Sequence, residues 1–133
     1  MRSLLFVLAL AATCNTADPM APALHASLTT DGGLSGRGLG SIEVVARDIT
    51  TDKCKATLTD EEAAELARLA KAAKPESWKS EYGQQARPDQ VHYTLTLEGH
   101  STSWWGENPD GLPAEARALR ESLWKIRARA CTG

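Results

Sequence analysis

The chain has few of the residues from which catalytic and metal centres are built. Its 133 residues include three cysteines and three histidines, and aromatic side chains make up only 5%. It contains no CxxC pair and no cluster of cysteine with histidine, so a zinc site is not predicted. It also has neither the nucleophile elbow of a hydrolase nor the Gly-Lys-Ser/Thr ending of a P-loop. These absences predict a protein that is not an enzyme and needs no metal or cofactor.

The chain also lacks an excess of charge of either sign. It has 15 basic and 17 acidic side chains, a net charge of −2, and the two signs are interspersed. Binding to nucleic acid or to a membrane surface usually needs a basic stripe, which the sequence does not have. His25 and His92 fall on the polar phase of predicted strands. We therefore predict surface histidines and no nucleic-acid partner.

No apolar run approaches the roughly 20 residues that span a bilayer. The run from Leu4 to Ala12 follows a short charged start and precedes Cys14 and a polar stretch. This order is typical of an export signal, which we assign to residues 1–17. Cleavage is predicted either just before Cys14, with a lipid on that cysteine, or near Ala17. The protein is then expected in the periplasm or as an outer-membrane-anchored lipoprotein, or else secreted, with only the lipid touching a membrane.

The predicted signal explains why the number of cysteines is odd. If Cys14 is lipidated or cut away, Cys54 and Cys131 remain as one pair, and export favours a disulfide between them. Closing a loop of roughly 78 residues would contribute about 4.5 kcal/mol in the chain-entropy model. The alternative is a pair of free buried thiols.

Residues 18–23 read as a tether, because Pro19 and Pro22 break regular structure. Residues 24–133 are predicted to form one small α+β domain in which an antiparallel sheet packs on two helices. The predicted order is strand–strand–helix–strand–strand–helix. Alternating apolar and polar residues predict the strands, around residues 24–29, 42–47, 91–98 and 101–105.

The two helices have clear start and stop signals. Thr59 and Glu62 form a predicted capping box, and Pro75 ends the first helix. Pro113 suits the start of the second helix. Apolar residues at helical spacing predict the buried faces, which are Ala63, Leu66, Ala70 and Ala73 in the first helix and Leu112, Ala116, Leu119, Leu123, Ile126 and Ala130 in the second. Trp78 and Tyr82 are predicted to cover the core between the helix and the third strand.

Two features are candidates for binding a partner. The glycine-rich segment 31–40 joins the first two strands as a wide hairpin loop. It is either a flexible turn or a recognition loop from which Leu34 projects as an apolar anchor. Trp104 and Trp105 are adjacent on a strand and so point to opposite faces, one into the core and one outward. We take Trp105 as the candidate anchor, although the sequence does not fix the register.

Residues 24–127 resemble the emfourin family, small protein inhibitors of thermolysin-like zinc metallopeptidases. Four segments carry the resemblance: Gly32-Gly33-Leu34-Ser35-Gly36 followed by Arg37, the helix from Leu58 to Leu69, the strand segment from Pro88 to Leu97, and Leu112-Pro113 leading into a leucine-striped helix. The pair Cys54/Cys131, the tandem tryptophans and the export signal are additions to the family pattern.

The resemblance implies a monomeric inhibitor whose loop 32–40 enters the peptidase cleft. Leu34 would fill the apolar pocket for the residue that follows the scissile bond, and Arg37 would pair with a carboxylate at the rim. Inhibition would be steric and reversible, with no metal ligand from this chain. The expected partner-binding residues are Gly32, Gly33, Leu34, Ser35, Gly36, Arg37 and Trp105. The alternative is a cell-envelope lipoprotein that holds a protein or glycan through its sheet face and exposed tryptophan, without inhibiting anything.

Overall fold

The computed structural model describes residues 24–132, and the predicted signal, the Cys14 lipidation site and the tether lie outside this range. The described chain is an α+β domain of one sheet and two helices. Its elements are β1 His25–Gly32, β2 Ser41–Val45, β3 Asp48–Thr51, β4 Lys55–Thr57, α1 Asp60–Ala72, a 3-10 turn Pro75–Ser77, β5 Glu81–Tyr82, β6 Val91–Leu97, β7 His100–Trp105 and α2 Ala114–Ala130. Neither of the helices in residues 24–132 is long and apolar enough to cross a membrane.

All seven strands belong to one sheet, in the order β4-β3-β2-β1-β6-β7-β5. Neighbouring strands are antiparallel except β5, which pairs in parallel with β7. At the centre, Leu28 of β1 lies opposite Ile42 of β2 and Leu95 of β6. Because side chains alternate along each strand, this register places one apolar set on a single face of the sheet.

The core lies between that face and the two helices. Its buried members from the sheet include Ala26, Leu28, Ile42, Val44, Ile49, Tyr93, Leu95, Leu97 and Trp104, and those from the helices include Leu66, Leu69, Ala116, Leu119, Leu123 and Ile126. Side chains of the opposite phase on β1, β6 and β7 are not buried. The sheet is therefore apolar toward the helices and polar on its outer face, as in many antiparallel sheets.

The predicted capping box of the first helix is confirmed, whereas Pro113 is the residue before the second helix, which begins at Ala114. Thr59 Oγ1 accepts from the Glu62 amide at 3.1 Å, and Glu62 Oε1 accepts from the Thr59 amide at 2.9 Å. The apolar face predicted for α1 left out Leu69, which is buried in the core, whereas Ala63 and Ala70 are only partly buried. The larger side chain fills the space against α2 more completely than alanine does.

The predicted order of elements was incomplete, because β3, β4 and β5 were missed. These strands are two to four residues long, too short for an alternating pattern to show. Ala46 was also predicted as a strand position, but it lies in the turn after β2 with a φ of 57°. The predicted cover of the core is present: Tyr82 is buried and Trp78 packs against the core while partly exposed.

The predicted disulfide is present. Cys54 and Cys131 are bonded, with their Cα atoms 5.7 Å apart. The bond joins the turn between β3 and β4 to the residue that caps the end of α2. It therefore fixes the C-terminal end of α2 to the half of the sheet that contains β2, β3 and β4.

Candidate protein-binding site at the glycine-rich loop

The glycine-rich loop, residues 33–40, connects β1 to β2 and is folded by its own hydrogen bonds. The Gly38 amide donates to the Gly32 carbonyl at 2.9 Å, and the Gly36 amide donates to the Gly33 carbonyl at 3.2 Å. The Arg37 amide donates to Ser35 Oγ at 3.1 Å. The amides of three consecutive residues, 36–38, thus have partners within residues 32–35, so the backbone forms a defined turn.

Thr30 of β1 closes the loop from below. Its hydroxyl donates to the Gly40 carbonyl at 2.6 Å and accepts from the Leu39 amide at 2.7 Å. The chain passes so close to β1 that a Cβ on Gly38 would lie 2.5 Å from the carbonyl atoms of Thr30, and Gly38 has a φ of 75°. Only glycine fits this approach without moving the backbone.

Asp52, in the turn between β3 and β4, supports the last residues of the loop. Its carboxylate accepts from the Ser41 amide at 3.0 Å and receives both Nε and Nη2 of Arg127 at 2.9 and 3.0 Å. A Cβ on Gly40 would lie 2.8 Å from Asp52 Oδ1 and would also press on the Arg127 guanidinium. The hydrogen bond from Arg127 lowers the pKa of Asp52 to about 2, so this ion pair persists at all but strongly acidic pH.

The disulfide lies beside this ion pair. Cys54 follows Asp52 by two residues, and Cys131 follows Arg127 by one helical turn. The hydroxyl of Thr51 joins the two halves, because it accepts from the Cys54 amide at 2.8 Å and lies 3.1 Å from Cys131 Sγ. We call Asp52, Arg127 and the Cys54–Cys131 bond the clamp. The clamp ties the turn between β3 and β4 to α2 by one covalent bond and one bidentate ion pair. Through Asp52, which accepts from the Ser41 amide, it also supports the end of the loop.

The tip of the loop is the opposite of its base. Leu34 is 93% exposed, the highest value among the exposed large apolar side chains of the described chain, and Leu39 is 52% exposed. A Cβ on Gly36 would have no neighbour within 4 Å. Because folding buries almost none of the Leu34 side chain, this side chain adds almost no hydrophobic stabilisation to the fold. Such a side chain is therefore available to bind a partner.

A second segment, residues 83–90, packs beside the loop, and no binding role was predicted for it. The Gly33 amide donates to the Gln90 carbonyl at 3.0 Å. Gln90 Oε1 in turn accepts from the amides of Ala86 and Arg87 at 2.6 and 3.2 Å. Gln90 thereby holds both segments together, and with Asp89 the loop lines a hollow of about 330 Å³. No local sequence pattern predicts these hydrogen bonds of Gln90, although Gly83 and Pro88 mark turns in the same segment.

The predicted site residues divide between two places. Gly32 is the last residue of β1, and Gly33 to Arg37 follow it on the loop. The exposed Arg37 has no ion-pair partner in residues 24–132. Trp104 is in the core, with its ring 5.6 Å from that of Tyr93. Trp105 lies on the outer face, where its ring comes within 3.3 Å of a Cβ position on Gly32. It therefore borders the root of the loop and not its tip.

His25 and His92 lie on the outer face, as the strand pattern indicates. His25 Nε2 is 3.0 Å from a carboxylate oxygen of Glu43, and His92 Nδ1 is 3.4 Å from one of Asp31. The part of the chain that the structure describes contains no group of three or more histidine, cysteine or acidic side chains that could hold a metal ion.

Comparison with family models, with curated proteins and with solved structures gives no match for this chain.

Proposed function

We propose that this protein is a reversible protein inhibitor of a thermolysin-like zinc metallopeptidase and that the glycine-rich loop enters the peptidase cleft. The observation that carries the proposal is the 93% exposure of Leu34 at the tip of a hydrogen-bonded loop. Peptidases of this class bind an apolar side chain in the pocket after the scissile bond, and Leu34 has the size and shape for it. Burying a leucine contributes about 1.5–3 kcal/mol.

The fixed shape of the loop supports inhibition. A flexible peptide loses conformational freedom when it enters a cleft, whereas a loop that is already folded loses little. Thr30, Gln90 and the clamp hold the two ends of this loop from both sides. The tip would therefore dock as a rigid body, and the surrounding domain would prevent further entry into the cleft.

Arg37 provides the electrostatic part of the proposal. It lies three residues after Leu34, is exposed and has no carboxylate within ion-pair distance in residues 24–132. We assign it to a carboxylate at the cleft rim. A rim charge mainly changes the association rate and its salt dependence. No zinc ligand from this chain is needed, since the loop blocks the cleft sterically.

The experiment is a titration of a thermolysin-like peptidase with the purified protein, followed with a peptide substrate. We expect a concentration-dependent loss of activity that recovers on dilution, while the protein itself stays intact on a gel. A trypsin-like serine peptidase is the control and should keep its activity. Full metallopeptidase activity at about 100 µM protein would overturn the proposal. It would mean a Kd well above 100 µM, and thus a binding free energy smaller in magnitude than about 5.5 kcal/mol.

A further inference from the structure

The outer face of the sheet carries an aromatic cluster that is separate from the tip of the glycine-rich loop. Asp31, His92 and Trp105 lie side by side on β1, β6 and β7. The Trp105 ring is tilted by 35° against His92 with the ring centroids 4.5 Å apart. The indole is therefore held in place on one side and only partly covered.

Beside Trp105 lies a hollow of about 310 Å³ between the segment 83–90 and the loop after β7. This volume is at the lower end of the range for small-molecule sites, about 300–1,000 Å³. The polar side chains that line it together with Trp105 are Gln84, Gln90, Glu107, Asn108 and Asp110. Neither lysine nor arginine belongs to this lining among the described residues. We call this hollow, including Trp105, the tryptophan pocket.

The amides of the tryptophan pocket both donate and accept hydrogen bonds, and its carboxylates accept. Gln90 uses its Oε1 to hold the amides of Ala86 and Arg87. Its Nε2 lies only 2.9 Å from a Cβ position on Gly106, at the wall of the pocket. The pocket thus offers donors and acceptors around one flat aromatic ring.

The sheet continues this polar surface. Next to the row of Asp31, His92 and Trp105, the outer face of β1, β6 and β7 presents only hydroxyl side chains over two rows, Thr29, Thr94 and Ser103, then Ser27, Thr96 and Ser101. Hydroxyl side chains are ordinary on an exposed sheet face. The face alone therefore indicates no ligand, but it extends the surface away from the pocket.

We propose that the tryptophan pocket binds a neutral saccharide. A sugar ring has C–H groups on one face, which pack on the negative face of an indole, and hydroxyls at its edge, which pair with amides and carboxylates. The carboxylates of Glu107 and Asp110, without a cation in the lining, disfavour anionic ligands such as phosphates, sulfated sugars and uronates. Trp105 would be the stacking platform and Gln90 and Asn108 the main hydrogen-bonding groups. This inference does not depend on peptidase inhibition.

The test is NMR titration of the purified protein with cellotetraose, maltotetraose and triacetylchitotriose, with a heparin tetrasaccharide as the anionic control. At about 5 mM, a concentration at which weak binding with a Kd near 1 mM is mostly saturated, at least one neutral sugar should shift the Trp105 indole resonance. Trp105→Ala should weaken that binding by at least tenfold. The matched control is Trp124→Ala, a partly exposed tryptophan on α2 outside the pocket, which should leave binding unchanged.

Because Trp105 also borders Gly32, a second variant protects the test against misfolding. Asn108→Ala changes an exposed loop residue and should weaken binding by roughly threefold or more with an unchanged fold. The proposal is overturned if none of the three neutral sugars shifts the Trp105 resonance, if the heparin tetrasaccharide binds more tightly than they do, or if folded Trp105→Ala binds as well as the wild type.

Discussion

The tip and the base of the glycine-rich loop differ in what surrounds them, although they are only a few residues apart. At the tip, Leu34 is almost fully exposed and a side chain on Gly36 would touch nothing within 4 Å. At the base, Gly38 lies against the backbone of β1 and Gly40 lies against Asp52 and Arg127. The base is therefore part of the fold, whereas the tip is not.

This difference separates stability from binding. A substitution at the base must act on the free energy of unfolding, and any loss of inhibition would follow from a misplaced loop. A substitution at the tip should leave stability almost unchanged, because exposed positions contribute little. Variants of the two parts can therefore distinguish a loop that supports the fold from a loop that contacts a partner.

The largest loss of stability is expected for Gly38→Val. The new Cβ would lie 2.5 Å from the backbone of Thr30, and a β-branched residue does not adopt the φ of 75° seen here. We expect the free energy of unfolding to fall by about 3 kcal/mol or more, from backbone strain and overpacking. Urea denaturation measures this, and inhibition should fall in parallel. A wild-type midpoint would show that the loop is not packed on β1 as described.

Removal of the disulfide comes next. The double variant Cys54→Ser, Cys131→Ser should lose about 2–5 kcal/mol, because the unfolded chain regains the freedom of a long closed loop. Thermal unfolding with and without a reducing agent checks it. The reductant should destabilise the wild type and leave the double variant unaffected; equal effects on both would contradict a role for this bond.

Asp52→Asn should have a smaller effect, since the ion pair with Arg127 is partly exposed. We expect a loss of about 1 kcal/mol at neutral pH. The pKa of Asp52 lies below the value of 3.8 for an unperturbed carboxyl, so its contribution is present above about pH 4 and is lost as the pH falls toward 2. The stability difference between wild type and Asp52→Asn should therefore shrink over that window. A difference that stays constant from pH 7 to pH 2 would contradict the ion pair.

Gly36→Ala tests the tip. The alanine meets no neighbour, so only the positive φ of 75° opposes it, and we expect a loss of about 1 kcal/mol. The inhibition constant should change by less than about tenfold, because Leu34 keeps its position. A loss of stability as large as that of Gly38→Val would remove the distinction between tip and base.

The sequence predicted the parts of this molecule that depend on neighbours in the chain. The loop, the capping box of Thr59 and Glu62, and the strand from Val91 to Leu97 all have local patterns of turn residues, caps or alternation. The disulfide was predictable by counting, once Cys14 had been set aside. The α+β class followed from these elements alone.

The rest depended on contacts between distant residues. Asp52 and Arg127 are 75 residues apart, and nothing local in the sequence pairs them. The choice between Trp104 and Trp105 needed the register of β7 against β6, in which Trp104 lies opposite the buried Tyr93. The hydrogen bond from the Gly33 amide to the Gln90 carbonyl likewise exists only because the segments 83–90 and 33–40 meet. Side chains that join two such segments have no periodic signal.

Leu34 is the side chain that we propose binds the peptidase, and the inhibition constant of Leu34→Asp tests this role most directly. The matched control is Val45→Asp, which places the same charge at an apolar residue that is 46% exposed on the outer sheet face. Leu34→Asp should unfold within about 0.5 kcal/mol of the wild type. Val45→Asp should lose about 1 kcal/mol and stay folded, because the new carboxylate lies opposite Asp48 of β3. We predict that Leu34→Asp inhibits a thermolysin-like peptidase at least about 100-fold more weakly, a change of about 2.7 kcal/mol, while Val45→Asp inhibits as the wild type does. Equal inhibition by wild type and Leu34→Asp would contradict the account.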